Sequence, residues 1–137
     1  MTPAAARRRQ RLLDSLERGR VEIRTRGLAM RPLLEPGDRV RLERREPQPG
    51  DVALVEIGER LVLHRLVRAQ GDTWWVRGEH AGAGLGRVHR DQVVAIATER
   101  LRDTQDTAGW RSLEAAPPRT GWRSLWRLHP EGDASDV

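Results

Sequence analysis

Two hydrophobic periods divide the chain into an N-terminal helical segment and a longer β segment. Residues 3–19 begin with a Pro, continue with Ala and Arg, and end at a Gly, a composition that predicts a helix with a defined start and stop. The apolar stripe of this helix is narrow and consists of Leu12, Leu13 and Leu16. From Val21 onward, apolar and polar residues alternate, and this period of two predicts half-buried strands.

The alternation continues to residue 101 in short segments that are separated by Gly, Pro and Asp turns. Strands are predicted at residues 21–26, 39–43, 52–57, 61–68, 73–77 and 93–101. A looser Gly-rich stretch, Gly78–Gly86, is predicted to lead into the last of them. Short strands with turns about every eight to twelve residues predict a mainly β fold, a single antiparallel domain that is barrel-like or sandwich-like. No helical period separates the strands, which excludes a βαβ arrangement.

These boundaries divide the chain into three parts. Residues 1–20 form a helix or arm, residues 21–101 form the β domain, and residues 102–137 form a Trp- and Arg-rich tail. Within the tail, the pentapeptide Gly-Trp-Arg-Ser-Leu occurs at residues 109–113 and again at 121–125. We predict that the tail folds back over the β domain, because exposed Trp is normally avoided in soluble proteins. Docking to a partner or to a membrane surface is the alternative.

The second copy of the pentapeptide and the last residues support two narrower predictions. Trp122, Leu125 and Trp126 follow the i, i+3, i+4 spacing that brings side chains onto one face of a helix. Such a face of Trp and Leu, flanked by Arg, is suited to contact with an apolar or interfacial surface. The end of the chain, residues 131–137, is polar and acidic and is predicted to be disordered.

Composition limits both the core and the chemistry. The 137 residues are 37% hydrophobic and 33% charged, which predicts one modest domain. Phe and Tyr are absent, so Leu, Val and Ile must fill most of the core, which favours strands. Cys is absent, which excludes disulfides and thiolate metal sites. Because no apolar run has the length of a membrane span or of a signal-peptide core, we expect a cytoplasmic protein.

All 25 basic residues are Arg, and the formal net charge is +5. Without Lys, no lysine can act as a general base. Arg favours phosphate, carboxylate and acidic-peptide partners. No helix-turn-helix, basic zipper or stacking motif is present, which argues against a nucleic-acid-binding module. His64, His80 and His89 match no standard spacing of metal ligands, so neither a metal nor another cofactor is predicted.

The densest group of turn residues surrounds a short apolar turn between the first two predicted strands. It reads Gly27-Leu28-Ala29-Met30-Arg31-Pro32 and is followed by Gly37-Asp38. Turn residues beside buried-type side chains predict a loop that is held in one shape. This arrangement resembles the Gly-x-Ser-Met-x-Pro…Gly-Asp box of S24/S26 serine peptidases, a family that includes type I signal peptidases and the self-cleaving domains of LexA-like repressors.

Further segments resemble the same family in the same order along the chain. They are Pro49-Gly50-Asp51-Val52, Leu63-His64-Arg65-Leu66-Val67, Val76-Arg77-Gly78-Glu79-His80 and Asp91-Gln92-Val93-Val94-Ala95. Together the matches cover about residues 21–101. The resemblance implies that this part of the chain is an antiparallel β domain like that of LexA and the signal peptidases.

The resemblance also assigns positions to the catalytic groups. Ala29 occupies the place of the nucleophilic Ser, His64 that of the general base, and Glu79 falls near an acidic position that assists the base in His-type members. The residues expected to contact substrate are Gly27, Leu28, Met30, Pro32 and Arg65. The reaction needs a hydroxyl whose proton is taken by a neighbouring base, and Ala29 has none. Because the four Ser residues all lie outside the box, the chain as written cannot form the acyl-enzyme.

Three hypotheses about function follow. If Ala29 is native, the chain is a catalytically inactive relative that binds an extended peptide, such as a precursor or leader, and presents it to a partner enzyme. An acidic peptide suits the Arg-rich surface. If Ala29 replaces a native Ser, the chain represents an active Ser–His endopeptidase. An Arg-rich adaptor for nucleic acid or a membrane surface is the third hypothesis. Departures from the family pattern at Glu79-His80 and at Ala95 favour the first.

Overall fold

The alternation that begins at Val21 produces an antiparallel sheet, so the prediction of a mainly β fold with an N-terminal helix is confirmed. The computed structural model describes residues 2–80, 82–102 and 109–113. Its strands are β1 Val21–Arg24, β2 Arg39–Glu43, β3 Val52–Ile57, β4 Arg60–Gln70, β5 Thr73–Arg77, β6 Leu85–His89, β7 Val93–Leu101 and β8 Arg111–Ser112. A short 3₁₀ turn, Arg90–Gln92, leads into β7.

The helix α1 spans Pro3–Glu17, close to the predicted range. Thr2 caps its N-terminus, since the Thr2 hydroxyl accepts a hydrogen bond from the Ala5 N–H at 3.1 Å. The Pro lies in the first turn, where a missing N–H removes no intrahelical bond. Ala5 and Leu16 are the buried residues of α1. Within the described part of the chain, no helix is both long and apolar enough to cross a membrane.

The sheet is ordered β1-β2-β7-β3-β4-β5-β6, and β8 pairs with β7. All of these neighbours are antiparallel, and the sheet curls into a half-barrel. The continuous apolar run of β3 predicts a central strand, and β3 does lie between β7 and β4. In the ladders that the structure describes, β1 and β6 are the two outer strands.

Both faces of the sheet carry a hydrophobic core, because alternate residues of β3 point to opposite sides. Val52 and Leu54 belong to the helix-side core, which also contains Leu16 of α1. Ala53 and Val55 belong to a second core, on the opposite face of the sheet. The fully buried run of β3 therefore reflects coverage on both faces.

Strand β6 contradicts one prediction. The sequence predicts a loose stretch over Gly78–Gly86 and no strand between it and β7, whereas β6 spans Leu85–His89 and pairs along the whole of β5. Val88 is its one buried residue, and Gly86 interrupts the alternation, so the segment lacks the period-two signal of a strand. It becomes a strand because β5 offers it an edge to pair with.

The first copy of the repeated pentapeptide joins the sheet. Strand β8 pairs with Glu99 and Arg100 of β7, and Leu113 is buried in the helix-side core. The Trp110 ring lies against the Arg41 guanidinium, with 3.8 Å between the ring centroid and Cζ. The start of the tail therefore packs on the β domain. The predicted Trp122, Leu125 and Trp126 face and the predicted disorder of residues 131–137 lie outside the described residues.

The docking of α1 supports a first testable prediction. Leu16→Ala is expected to lower the free energy of unfolding by about 2 kcal/mol, because the removed methyl groups leave a cavity in the helix-side core. Urea unfolding followed by circular dichroism measures the loss. Glu17→Ala, on the exposed side of the same helix, is the matched control and should change stability by less than about 0.5 kcal/mol. Equal stabilities of the two variants would mean that α1 does not pack on the sheet in solution.

Candidate functional site

The loop between β1 and β2 is closed at its base by a short backbone ladder. The Thr25 N–H donates to the Asp38 carbonyl and the Gly37 N–H donates to the Thr25 carbonyl, both at 2.9 Å. The Thr25 hydroxyl donates to the Glu35 carbonyl at 2.7 Å. Gly37 has a φ of 93°, a conformation that residues with a side chain rarely adopt, so this turn requires Gly.

Asp38 fixes the same loop from within the protein. Its buried carboxylate accepts the Glu35 N–H at 2.8 Å. It also accepts two hydrogen bonds from Arg102, one from Nε at 3.0 Å and one from Nη2 at 2.9 Å. This two-point contact ties the loop to the segment that follows β7. These hydrogen bonds connect both ends of the loop to each other and to Arg102.

Ala29 is attached to the segment that follows β5. Its carbonyl accepts hydrogen bonds from the N–H groups of Glu79 at 2.7 Å and His80 at 3.3 Å. Gly78 permits this approach, because a Cβ at that position would lie 2.6 Å from the Ala29 oxygen. The predicted nucleophile position and the predicted acidic position are thus neighbours through the backbone. Sequence reasoning missed the role of Gly78, which depends on a contact between segments far apart in the chain.

The Glu79 side chain pairs with Arg65. Nη2 of Arg65 donates a hydrogen bond to Oε1 of Glu79. Both side chains are almost fully buried, with 1% of Arg65 and 4% of Glu79 exposed. Arg65 Nη1 also donates to the Gly50 carbonyl at 2.8 Å, which joins the turn before β3 to the same cluster. Arg65 was expected to contact substrate and Glu79 to assist a base. In the structure the two residues hold β4, the Gly50 turn and the Ala29 contact together.

His64 lies on β4 next to this cluster and opposite Ala53 of β3. It is half-buried, and its Nδ1 is 2.5 Å from the Leu63 carbonyl of the same strand. Among the described residues, no hydrogen bond joins the His64 ring to Glu79 or to residue 29. The structure makes Ala29 and Glu79 neighbours, whereas His64 pairs with Ala53 of the second core, so its side chain points to the other face of the sheet from the groove. The three predicted catalytic positions are therefore not assembled as a nucleophile, base and acid.

A groove of about 700 Å³ runs past the Ala29 loop on the helix side of the sheet. One wall is β1 and the residues after it, Ile23–Met30, and the facing wall includes Leu54 and Glu56 of β3 with residues 59–63 of the β3–β4 hairpin. Helix α1 contributes Ala5, Arg8 and Arg9. The groove is thus bounded by β1, the hairpin and α1.

Each of the two strand walls has one backbone edge that pairs with no other strand in the described part of the chain. Strand β1 pairs with β2 on one side, and its other edge has no strand partner there. Strand β4 pairs with β5 from Arg65 onward, so its first residues, 60–64, pair with β3 alone. Both strands contribute residues to the lining of the groove, and a strand edge without a partner can accept another strand.

The predicted substrate-contacting residues separate into two groups. Gly27, Leu28 and Met30 line the groove together with Ala29. Leu28 is 55% exposed, which is unusual for a large apolar side chain in this protein and makes it the most accessible apolar surface of the groove. Pro32 and Arg65 do not line the groove. The exposed Pro32 lies further along the loop, and Arg65 is buried in its ion pair with Glu79.

No group of three or more His, Cys, Asp or Glu residues in the described ranges is arranged to hold a metal ion. Comparison with models of protein families gives no match, and comparison with curated proteins gives none either. The likeness to S24/S26 peptidases therefore rests on the motifs and their order in the sequence.

Proposed function

We propose that this protein is a catalytically inactive relative of the S24/S26 peptidases that binds an extended peptide in the groove beside Ala29 and presents it to a partner enzyme. The observation that carries the proposal is a groove lined by residues of two strands, β1 and the start of β4, that each have an edge without a strand partner in the described chain. An added strand forms main-chain hydrogen bonds to an exposed edge, which supply affinity for peptides of many sequences.

The size of the groove supports a short peptide segment as the ligand. A volume of about 700 Å³ holds a few residues and lies within the range of about 300–1,000 Å³ typical of ligand sites. Apolar side chains from both walls, among them Ile23, Leu28 and Leu63, offer contacts to alternate residues of an inserted strand. The rest of a longer peptide extends beyond the groove, where a partner enzyme can act on it.

Three features support binding without cleavage. Ala29 has no hydroxyl to attack a carbonyl, the Glu79 carboxylate is engaged by Arg65, and a ring nitrogen of His64 faces the Leu63 carbonyl. The scaffold around the missing nucleophile is nevertheless complete, because Gly78, Asp38 and Arg102 still hold the loop. An ordered Ala29 loop without a nucleophile supports a role in binding peptide.

Strand addition predicts a dependence on the peptide backbone. A short peptide of alternating Thr and Gln is expected to bind, and the same peptide N-methylated at alternate residues on one edge should bind at least about tenfold more weakly, since each lost main-chain hydrogen bond contributes roughly 0.5–1.5 kcal/mol. Calorimetry measures both affinities, and amide chemical shifts locate the site at β1 and residues 60–64. Equal binding of the two peptides, or no binding of either, contradicts the proposal.

The Ala29→Ser variant distinguishes the proposal from an active peptidase. We expect it to bind peptide with unchanged affinity and to cleave nothing, because no described carboxylate orients His64. A functioning Ser–His enzyme accelerates hydrolysis by about 10⁶-fold or more, so mass spectrometry after prolonged incubation detects even an impaired one. Cleavage by Ala29→Ser that disappears in Ala29→Ser/His64→Ala would show that the machinery is intact and that position 29 alone separates this chain from a peptidase.

A further inference from the structure

From the charges around the groove we infer that its ligand carries acidic side chains, which Arg8, Arg26 and Arg60 recognise. The inference rests on the proposed peptide-binding function and adds the chemical class of the peptide. These three residues come from α1, from the segment after β1 and from the start of β4, so each boundary of the groove supplies one.

The groove carries more guanidinium groups than it can neutralise by itself. Five Arg and two Glu line it, which leaves a net charge of +3. Arg9 pairs with Glu56, with 2.6 Å between Nε and Oε2, and Arg24 donates from Nη1 to the Gly37 carbonyl at 2.9 Å. Glu59 accepts a hydrogen bond from the Thr2 N–H at 2.7 Å. Both carboxylates of the groove therefore already have partners.

Arg8, Arg26 and Arg60 are left with their charge directed to solvent. All three side chains are exposed, and none forms an ion pair or a side-chain hydrogen bond with another residue that the structure describes. Most other Arg residues of the described chain have such contacts, and of those that have none, these three are the ones that line the groove. Like charges around a concave surface focus the electrostatic potential and attract anions.

The arrangement of the three residues favours a particular pattern of acidic positions. Arg26 and Arg60 belong to the two strand walls, and Arg8 belongs to α1, which lies over the helix-side face of the sheet. In a strand inserted between the walls, every second side chain points to that face. Asp or Glu at alternate positions thus meets the guanidinium groups without burying an unpaired charge.

The lining of the groove favours a peptide over a nucleic acid as the source of the negative charge. Ile23, Leu28 and Leu61 give it an apolar surface, and no Trp among the described residues lines it, so the described lining offers bases no aromatic platform. The carboxylates of Glu56 and Glu59 also border it, and they would repel a continuous run of phosphates. An alternating acidic peptide places its charges at intervals and offers its main chain to the strand edges.

Three short peptides of equal length test the inference, with Thr alternating with Glu, with Gln or with Lys. At low salt the Glu peptide should bind the full chain about tenfold more tightly than the Gln peptide and the Lys peptide more weakly than both, since an exposed ion pair contributes up to about a factor of five. In about 0.5 M salt the Glu and Gln affinities should converge, because surface charges are then screened.

Matched variants locate the effect. In Arg8→Gln/Arg26→Gln/Arg60→Gln the Glu and Gln peptides should bind with equal affinity, and amide chemical shifts of the sheet that match those of the unsubstituted chain show that the fold is intact. The control Arg7→Gln/Arg11→Gln/Arg44→Gln removes the same charge from exposed positions that do not line the groove and should keep the preference. The charge-reversed variant Arg8→Glu/Arg26→Glu/Arg60→Glu should prefer the Lys peptide, a gain that misfolding cannot produce.

The outcomes separate this inference from the proposed function. Equal affinities for the Glu and Gln peptides at low salt overturn the acidic preference and leave peptide binding in place. Binding of none of the three peptides overturns the proposed function itself. A single-stranded DNA oligonucleotide that displaces the Glu peptide at equal concentration, and does so through Arg8, Arg26 and Arg60, overturns the assignment of the ligand as a peptide.

Discussion

Glu79→Leu is expected to lower the free energy of unfolding by about 3–5 kcal/mol, one of the largest effects of any single substitution in this chain. The substitution leaves the Arg65 guanidinium almost fully buried without its counter-charge, and an uncompensated buried charge is strongly destabilising. Since small proteins have a total stability of roughly 5–15 kcal/mol, the variant should unfold at much lower urea concentration.

The double variant Arg65→Met/Glu79→Leu provides the decisive comparison. It removes both charges and fills the site with apolar side chains, so it should recover about half or more of the lost stability. Asp72→Asn, in an exposed pair with Arg90, is the surface control and should change stability by at most about 1 kcal/mol. If the double variant is as unstable as Glu79→Leu, the ion pair has another role than mutual neutralisation.

Gly78→Ala is expected to disturb the Ala29 loop and to weaken peptide binding by about tenfold or more. A Cβ at this position lies 2.6 Å from the Ala29 carbonyl oxygen, so the two segments must separate. That movement lengthens the hydrogen bonds from Glu79 and His80, and overpacking of this kind lowers stability by about 1–3 kcal/mol. Amide hydrogen exchange should show lower protection of the Glu79 N–H.

Gly84→Ala is the matched control for this prediction. It adds the same methyl group directly before β6, where no atom lies within 4 Å of the added Cβ and φ is not in the left-handed region. The control should bind peptide as the unsubstituted chain does, and its Glu79 amide should keep its protection. Wild-type exchange at Glu79 in Gly78→Ala would show that the loop adapts and does not depend on the close approach.

The two predictions concern the same set of contacts, which join the Ala29 loop to the segment after β5. The buried pair of Arg65 and Glu79 stabilises the segment that receives the Ala29 carbonyl, and the groove lies on the exposed side of the same loop. Ala29 makes its contact with this segment through its backbone carbonyl, so the contact does not depend on the side chain at position 29. The proposed binding site therefore requires no hydroxyl there.

Much of the β architecture could be predicted from the sequence because local patterning carries it. Strand β3 matches its apolar run, Val52–Ile57, and β7 matches Val93–Leu101, since alternation and turn residues act over a few positions. Strand β6 could not be predicted in this way, because Gly86 interrupts the alternation and Val88 is the one buried residue of the strand. Its extended conformation depends on the ladder offered by β5.

The candidate site could likewise be predicted from the sequence only in part. Residue type and order are enough to predict part of the site. They give the turn-rich Ala29 loop, the positions of His64 and Glu79, and the absence of a Ser from the loop. The tertiary structure decided which of these groups meet: Glu79 pairs with Arg65, the Ala29 carbonyl contacts the segment after Gly78, and β1 faces the β3–β4 hairpin across a groove. Such contacts join residues distant in the chain, so burial and the curl of the sheet determine them, and local sequence pattern does not.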